Sequence, residues 1–239
     1  MVGCLIIHGY TGGPYEVEPL AAYLRNYTNW DVHVPTLPGH GGNRELDGVS
    51  YTAWLASAEN ALKKMREKTD RLYLIGFSMG GMIAAYLASR HAVDKLVLLA
   101  TSRKYLSFRQ MSKELKDILA DGVKGNLGQN GFFKHYRDKW RRVPMKANLE
   151  FIRLVRFTQR YLPHVESPVL IVHGQRDMVV PYKAALDLDK EITSEKKEVV
   201  LFDRSRHLIC LGDDKDMLNG MVYQFLTSKK AAHIEEAPG

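Results

Sequence analysis

The stretch Leu72-Tyr73-Leu74-Ile75-Gly76-Phe77-Ser78-Met79-Gly80-Gly81-Met82-Ile83-Ala84-Ala85-Tyr86-Leu87-Ala88 decides how the rest of the chain is read. It opens on an unbroken apolar run of strand type and closes on an apolar run of helix formers, with a serine between glycines at the join. A strand that turns into a helix over so few residues needs small neighbours at the point of closest approach. It also holds the residue at the apex in a strained conformation, side chain clear of the sheet. The G-x-S-x-G spacing alone is common and describes many glycine-rich turns. The strand before it and the helix after it make it a nucleophile elbow, with Ser78 the candidate nucleophile.

Outward from this point the chain alternates. On the amino-terminal side, residues 2–7 are apolar apart from Gly3, as suits a strand buried on both faces of a parallel sheet. Val17, Leu20, Ala21 and Leu24 recur at helical spacing, and residues 31–35 form a second short strand. Ser50 or Thr52 can cap a helix whose inner face is Trp54, Leu55, Ala58, Leu62 and Met65. Strands are expected at 71–75, 95–100, 168–173 and 198–202, with helices after the elbow and near 182–192. A last helix carries Met217, Leu218, Met221, Val222, Phe225 and Leu226 on one stripe. Such alternation predicts an α/β fold with a parallel sheet joined by right-handed crossovers. The rhythm stops only between 103 and 165, a segment interrupted by Gly122, Gly125, Gly128 and Gly131 that reads as an inserted cap. The expected organisation is a core of 1–102 and 166–239 with a cap of 103–165, the last residues from 231 forming a frayed tail.

Composition narrows the function classes. The 239 residues suffice for one sizeable core. Two cysteines, Cys4 and Cys210, make no disulfide framework. No stretch approaches the roughly 18 to 20 apolar residues that span a bilayer, and no signal-like segment precedes the first strand. A reducing, cytoplasmic setting is expected. The net charge of +7 is local: residues 103–165 hold fifteen Lys and Arg against five Asp and Glu, so the remainder is net acidic. No clustered ligand spacing asks for a metal, and no cofactor is expected.

A serine hydroxyl needs an imidazole to take its proton and a carboxylate to orient that imidazole. In a sheet of this kind the groups follow in the order nucleophile, acid, histidine, on loops at the carboxyl ends of strands. His8, His33 and His40 precede the serine. His173 falls within a strand, His233 in the tail, and His91, His135 and His164 do not follow the last strand. His207 is the candidate base. Asp177, in the loop after strand 168–173, is preferred as the acid over Asp203, which lies on the same loop as His207 and is harder to aim at it. Backbone N–H groups of Met79, after the nucleophile, and Tyr10, in the loop His8-Gly9-Tyr10-Thr11-Gly12-Gly13, are candidate oxyanion donors. That loop lacks the Lys and Ser/Thr of a phosphate-binding loop and the spacing of a dinucleotide fingerprint.

Together these residues resemble the α/β-hydrolase superfamily, in particular its small bacterial carboxylesterases and monoacylglycerol lipases. The likeness is carried by Ile6 to Gly12, Leu37-Pro38-Gly39-His40-Gly41, Gly76 to Gly81, Gly174 to Pro181, and Ser205-Arg206-His207. Arg206 stands where the family commonly has glycine. The resemblance implies a mostly parallel sheet of about six strands flanked by helices, with the first strand central and residues 31–35 at an edge. It also implies a helical cap over the serine. Tyr105, Phe108, Phe132, Phe133, Tyr136 and Trp140 are candidates to line an acyl pocket, though ordinary packing is the readier account of most of them. The expected activity is hydrolysis of small-molecule carboxylic esters of short to medium acyl chains or monoacylglycerols by a serine esterase. Thioester or C–C bond hydrolysis on the same groups, or a hydrolase-fold receptor with vestigial catalysis, are the alternatives. No nucleic-acid partner is expected. The basic cap, including Arg137, Arg141, Arg153, Arg156 and Arg160, is either a solvated surface or a contact for anionic lipid.

Overall fold

Side chains alternate across a strand, so a run that is apolar at every position needs cover on both faces. The computed structural model describes residues 1–42, 45–103 and 143–228. It meets that need with six parallel strands: β1 (Val2–Ile7), β2 (Asp31–His33), β3 (Arg71–Phe77), β4 (Lys95–Leu99), β5 (Val169–Gly174) and β6 (Lys197–Phe202). Their order is β2-β1-β3-β4-β5-β6. Leu5, Ile7, Leu72, Leu74, Leu96, Leu98, Val169 and Ile171 face one layer of helices. Cys4, Ile6, Tyr73, Ile75, Val97, Leu99, Leu170 and Val172 face the other. The first layer holds α2 (Tyr51–Arg66), α3 (Met79–Ala88), α4 (Met145–Gln159) and α5 (Lys183–Glu191). The second holds α1 (Glu18–Tyr27) packed against α6 (Lys215–Thr227).

Local signals placed these elements closely. Ser50 caps α2 by accepting a hydrogen bond from the Ala53 N–H at 3.3 Å. Trp54, Leu55, Ala58, Leu62 and Met65 are its buried face. Three details differ from expectation. Strand β2 stops at His33, short of Pro35. It is the edge strand, and β1 lies one strand in from it rather than at the centre. Met217 is exposed, so the buried stripe of α6 is Leu218, Val222 and Leu226, with Met221 and Phe225 half-covered. At the far end of α6, the Lys95 ammonium donates to the carbonyls of Phe225 and Ser228, closing the helix carboxyl terminus with a cation from β4.

The described part of segment 103–165 lies on the core. Helix α4 packs against α3 and α2, and Leu154, Val155, Leu162 and Val165 are buried in the same cluster as Leu72 and Leu98. The acyl-pocket candidates between 105 and 140, Arg137 and Arg141, the glycines from 122 to 131, His135 and the tail with His233 lie outside the described residues.

Closest approach of strand and helix occurs at the elbow. A Cβ on Gly80 would stand 2.1 Å from the Ile7 carbonyl oxygen, and one on Gly76 2.3 Å from the Gly80 carbonyl oxygen. Both obstacles are backbone, so neither can swing aside. Gly220, within α6, has nothing within 4 Å of the same construction. Gly80→Ala is therefore expected to destabilise the chain by about 3 kcal/mol or more, or to prevent soluble expression. Gly220→Ala should stabilise it by about 0.5–1 kcal/mol. Urea unfolding of both variants beside the parent checks the pair.

Candidate active site

Ser78 has φ 54° and ψ −116°, a conformation L-residues avoid, at a cost of about 1–3 kcal/mol. Backbone hydrogen bonds on both sides hold it there. The Ser78 N–H donates to the Leu99 carbonyl at 2.8 Å, and the Ser102 N–H donates to the Ser78 carbonyl at 3.2 Å. The elbow is thus clamped to the end of β4 and its side chain is fixed in direction.

The loops after β5 and β6 are joined in the same manner. The Gln175 N–H donates to the Phe202 carbonyl at 2.8 Å and the Arg176 N–H to the Ser205 carbonyl at 3.1 Å. This lacing brings the two remaining candidates onto the serine. Nδ1 of His207 lies 2.7 Å from Oδ2 of Asp177, and Nε2 of His207 lies 3.0 Å from Oγ of Ser78. All three residues are buried. A carboxylate only accepts, so His207 carries its proton on Nδ1 and presents a bare Nε2 to the serine hydroxyl. An imidazole held so can take the hydroxyl proton, and the carboxylate then faces the cation that forms.

Asp177 stays ionised despite its burial. Desolvation pushes its carboxyl up, but the charge of His207 and the hydrogen bonds from His173 and His207 outweigh it and hold the group well below the usual carboxylate range. Its other oxygen, Oδ1, accepts from the N–H groups of Val179 and Val180, both at 2.8 Å. Asp203, the competing acid, is exposed and accepts from the Gln175 amide at 2.8 Å. Arg206 is also exposed, while Ser205 beside it is buried and donates to Asp214 at 2.6 Å.

Of the candidate oxyanion donors, Met79 is the first residue of α3, where an N–H has no partner within the helix and the helix dipole is positive. Tyr10 sits in the loop after β1, whose start lies against the first turn of α3 through the contact of Gly80 with the Ile7 and His8 carbonyls. The Tyr10 side chain anchors that loop. Its ring stacks on Phe151 at 4.8 Å between centroids and meets Trp54 edge-on, and its hydroxyl donates to Asn148 Oδ1 at 3.1 Å. Burial pushes this phenol well up, so it remains a donor. Beneath the loop the buried Glu16 carboxylate accepts the Gly9 N–H at 3.1 Å. His8 accepts the Leu37 N–H on Nε2 and so donates from Nδ1 to the Gly9 carbonyl at 2.9 Å.

Sequence reasoning missed three neighbours. Ser102 Oγ lies 3.0 Å from Ser78 Oγ; with the Ser78 hydrogen directed at His207, the Ser102 hydroxyl is the donor in this contact. Asn148 holds Tyr10. His173, set aside because it lies in a strand, reaches Asp177 Oδ2 at 3.1 Å. Strand order supplies the missing signal for Ser102 and His173, since β4 pairs with β3, β5 pairs with β4, and the carboxyl ends of all three share one edge of the sheet. Among the described residues no group of three or more His, Cys, Asp or Glu side chains could hold a metal ion. No helix among them is long and apolar enough to cross a membrane.

Comparison with known proteins agrees with this architecture. Residues 4–218 match the alpha/beta hydrolase family. A thermostable monoacylglycerol lipase of Bacillus sp. (strain H-257) is 28% identical over 230 residues, covering 91% of this chain and 87% of that protein. A carboxylesterase of Bacillus subtilis (strain 168) is 21% identical over 224 residues, covering 93% and 91%. Among solved structures, one reported with the metagenome-derived lipolytic enzymes LipS and LipT superposes with a TM-score of 0.76 at 21% identity, covering 94% of this chain and 93% of that one. With a family match over most of its length and the strand order, elbow and loops already described, the chain belongs to the alpha/beta hydrolase family.

Proposed function

We propose that this protein is a serine carboxylic ester hydrolase acting on short to medium acyl esters or monoacylglycerols. The observation that carries the reading is the continuous line from the Asp177 carboxylate through His207 to the hydroxyl of a serine on a strained elbow. Ser78 Oγ attacks the ester carbonyl carbon as its proton passes to His207 Nε2. The carbonyl oxygen gains the charge, held by the Tyr10 and Met79 N–H groups. Collapse of the tetrahedral adduct breaks the bond to the alcohol oxygen, which takes the proton from His207 and leaves an acyl group on Ser78. Water then attacks the acyl carbon, its proton going to His207 and from there to Ser78 Oγ, and the carboxylic acid departs. The monoacylglycerol lipase and carboxylesterase among its relatives support the ester class. The free, buried thiols of Cys4 and Cys210, the latter pushed up to about 12 by burial, suit a reducing cytoplasm.

A contact with anionic lipid is part of this proposal. In α4 the buried residues Ala147, Ile152, Leu154, Val155 and Thr158 face the core, which leaves Lys146, Arg153 and Arg156, and Arg160 just past its end, exposed with Met145 and Leu149. A basic face with apolar tips matches an anionic interface.

Ser78→Ala should lower kcat on p-nitrophenyl butyrate by about 10⁴-fold or more, measured by steady-state release of the phenolate; near-parent activity would refute the mechanism. Across p-nitrophenyl esters of rising acyl length plus a monoacylglycerol, kcat/KM is expected to peak below long-chain esters, with the monoacylglycerol accepted. Vesicle sedimentation should show binding to anionic but not neutral phosphatidylcholine vesicles, weakening at high salt. Equal, salt-insensitive binding to both would remove the lipid contact.

A further inference from the structure

His173 is buried near the carboxyl end of β5 and has no place in the scheme above, yet it touches the group on which that scheme depends. Its Nε2 lies 2.9 Å from the Val180 carbonyl oxygen and 3.1 Å from Asp177 Oδ2. Neither oxygen can donate, so the proton is on Nε2 and is shared between them. The other ring nitrogen, Nδ1, is buried with no hydrogen-bond partner. A second proton there would be left unsatisfied. The ring is therefore a directed neutral donor.

These contacts close a ring. Val180 gives its N–H to Asp177 Oδ1 and its carbonyl to His173, and His173 gives its N–H to Asp177 Oδ2. The carboxylate cannot rotate without breaking the contacts on both oxygens. It receives four donors, from Val179, Val180, His173 and His207, and of these only His207 leads to the serine. Each donor that is not His207 draws electron density from the carboxylate, making it a weaker partner for an imidazolium and a weaker proton acceptor.

We infer that His173 is a positioning residue for the reaction: it fixes the Asp177 carboxylate against His207 and tempers its pull on the His207 proton, so that His207 is kept unprotonated to lower pH than Asp177 alone would allow. This rests on the Ser78, His207 and Asp177 roles proposed above. Among the described residues no charged side chain contacts Asp177 other than the two histidines. Arg176, Asp203, Arg204 and Arg206 on the two loops are exposed, and Asp214 is engaged by Ser205. On its other sides His207 meets Ser78 and the Phe77 ring, whose centroid is 5.2 Å away.

The test is the pH dependence of kcat/KM for His173→Phe and His173→Gln. Phenylalanine keeps the ring and removes the donor. Glutamine places an amide N–H near the position of Nε2–H. His173→Phe should lower kcat about tenfold and move the acid limb of kcat/KM upward by about half a pH unit or more, with KM little changed. His173→Gln should recover most of both. An acid limb that stays in place or moves down in His173→Phe, whatever the loss of activity, would overturn the inference, because a merely structural role lowers activity without that shift. Should the variants not fold, ¹⁵N-histidine spectra of the parent protein decide: the proton on Nε2 of His173 agrees, and a proton on Nδ1 instead contradicts. Ser78→Ala in the same assay separates the two proposals. If it is inactive and the limb is unmoved, only the role of His173 falls; if it is active, the parent mechanism falls and this role with it.

Discussion

The rest of the structure depends on a backbone contact: the first turn of α3 lies directly on the carbonyls of Ile7 and His8, through the absent side chain of Gly80. Nothing larger fits. That approach sets the tightness of the turn leaving β3, and the turn in turn drives Ser78 to positive φ. The strain is offset by hydrogen bonds from Ser78 to Leu99 and from Ser102 to Ser78, and by the burial of α3 between the sheet and helices α2 and α4. The same contact sets the loop after β1 beside the amino terminus of α3. One steric constraint thus positions both the candidate nucleophile and its candidate oxyanion donors.

Electrostatics then shape what the serine faces. A carboxylate in a dry setting is costly unless donors surround it, and Asp177 gathers four. Those from Val179 and Val180 come from its own loop and aim the group. Those from His173 and His207 come from the strand before it and from the neighbouring loop. The two loops are laced through Gln175, Arg176, Phe202 and Ser205, so carboxylate and imidazole are set by main chain rather than by flexible side chains. Such preorganisation reduces what must be ordered when a substrate arrives.

Much of this was legible in the sequence because it depends on local chemistry. Strands buried on both faces announce themselves as unbroken apolar runs. Ser50 marks its helix start by capping, and Ser78, Asp177 and His207, each in the loop after a strand, share one edge because the strands all end on one side. What was missed depends on contacts between strands. His173 lies in a strand, and strand membership by itself argues against a place in the site. A residue near the carboxyl end of a strand can still reach the loop that follows, as His173, second to last in β5, reaches Asp177 and Val180. Ser102 gives no signal along the chain because its approach to Ser78 requires β4 to pair with β3, which spacing does not reveal. The sequence pattern carries β2 on to Pro35, yet pairing with β1 ends at His33. Periodicity alone puts Met217 on the buried stripe of α6, but it stands in the helix's first turn and is exposed.

The central claim is that Ser78, and not another hydroxyl, carries the acyl group during turnover. Ser102, 3.0 Å away, makes the question a sharp one. The most direct measurement is peptide mass spectrometry after reaction with a fluorophosphonate. The account predicts one adduct per chain, on the peptide and residue containing Ser78, with activity lost in proportion. An adduct on Ser102, or full labelling with activity retained, would contradict it.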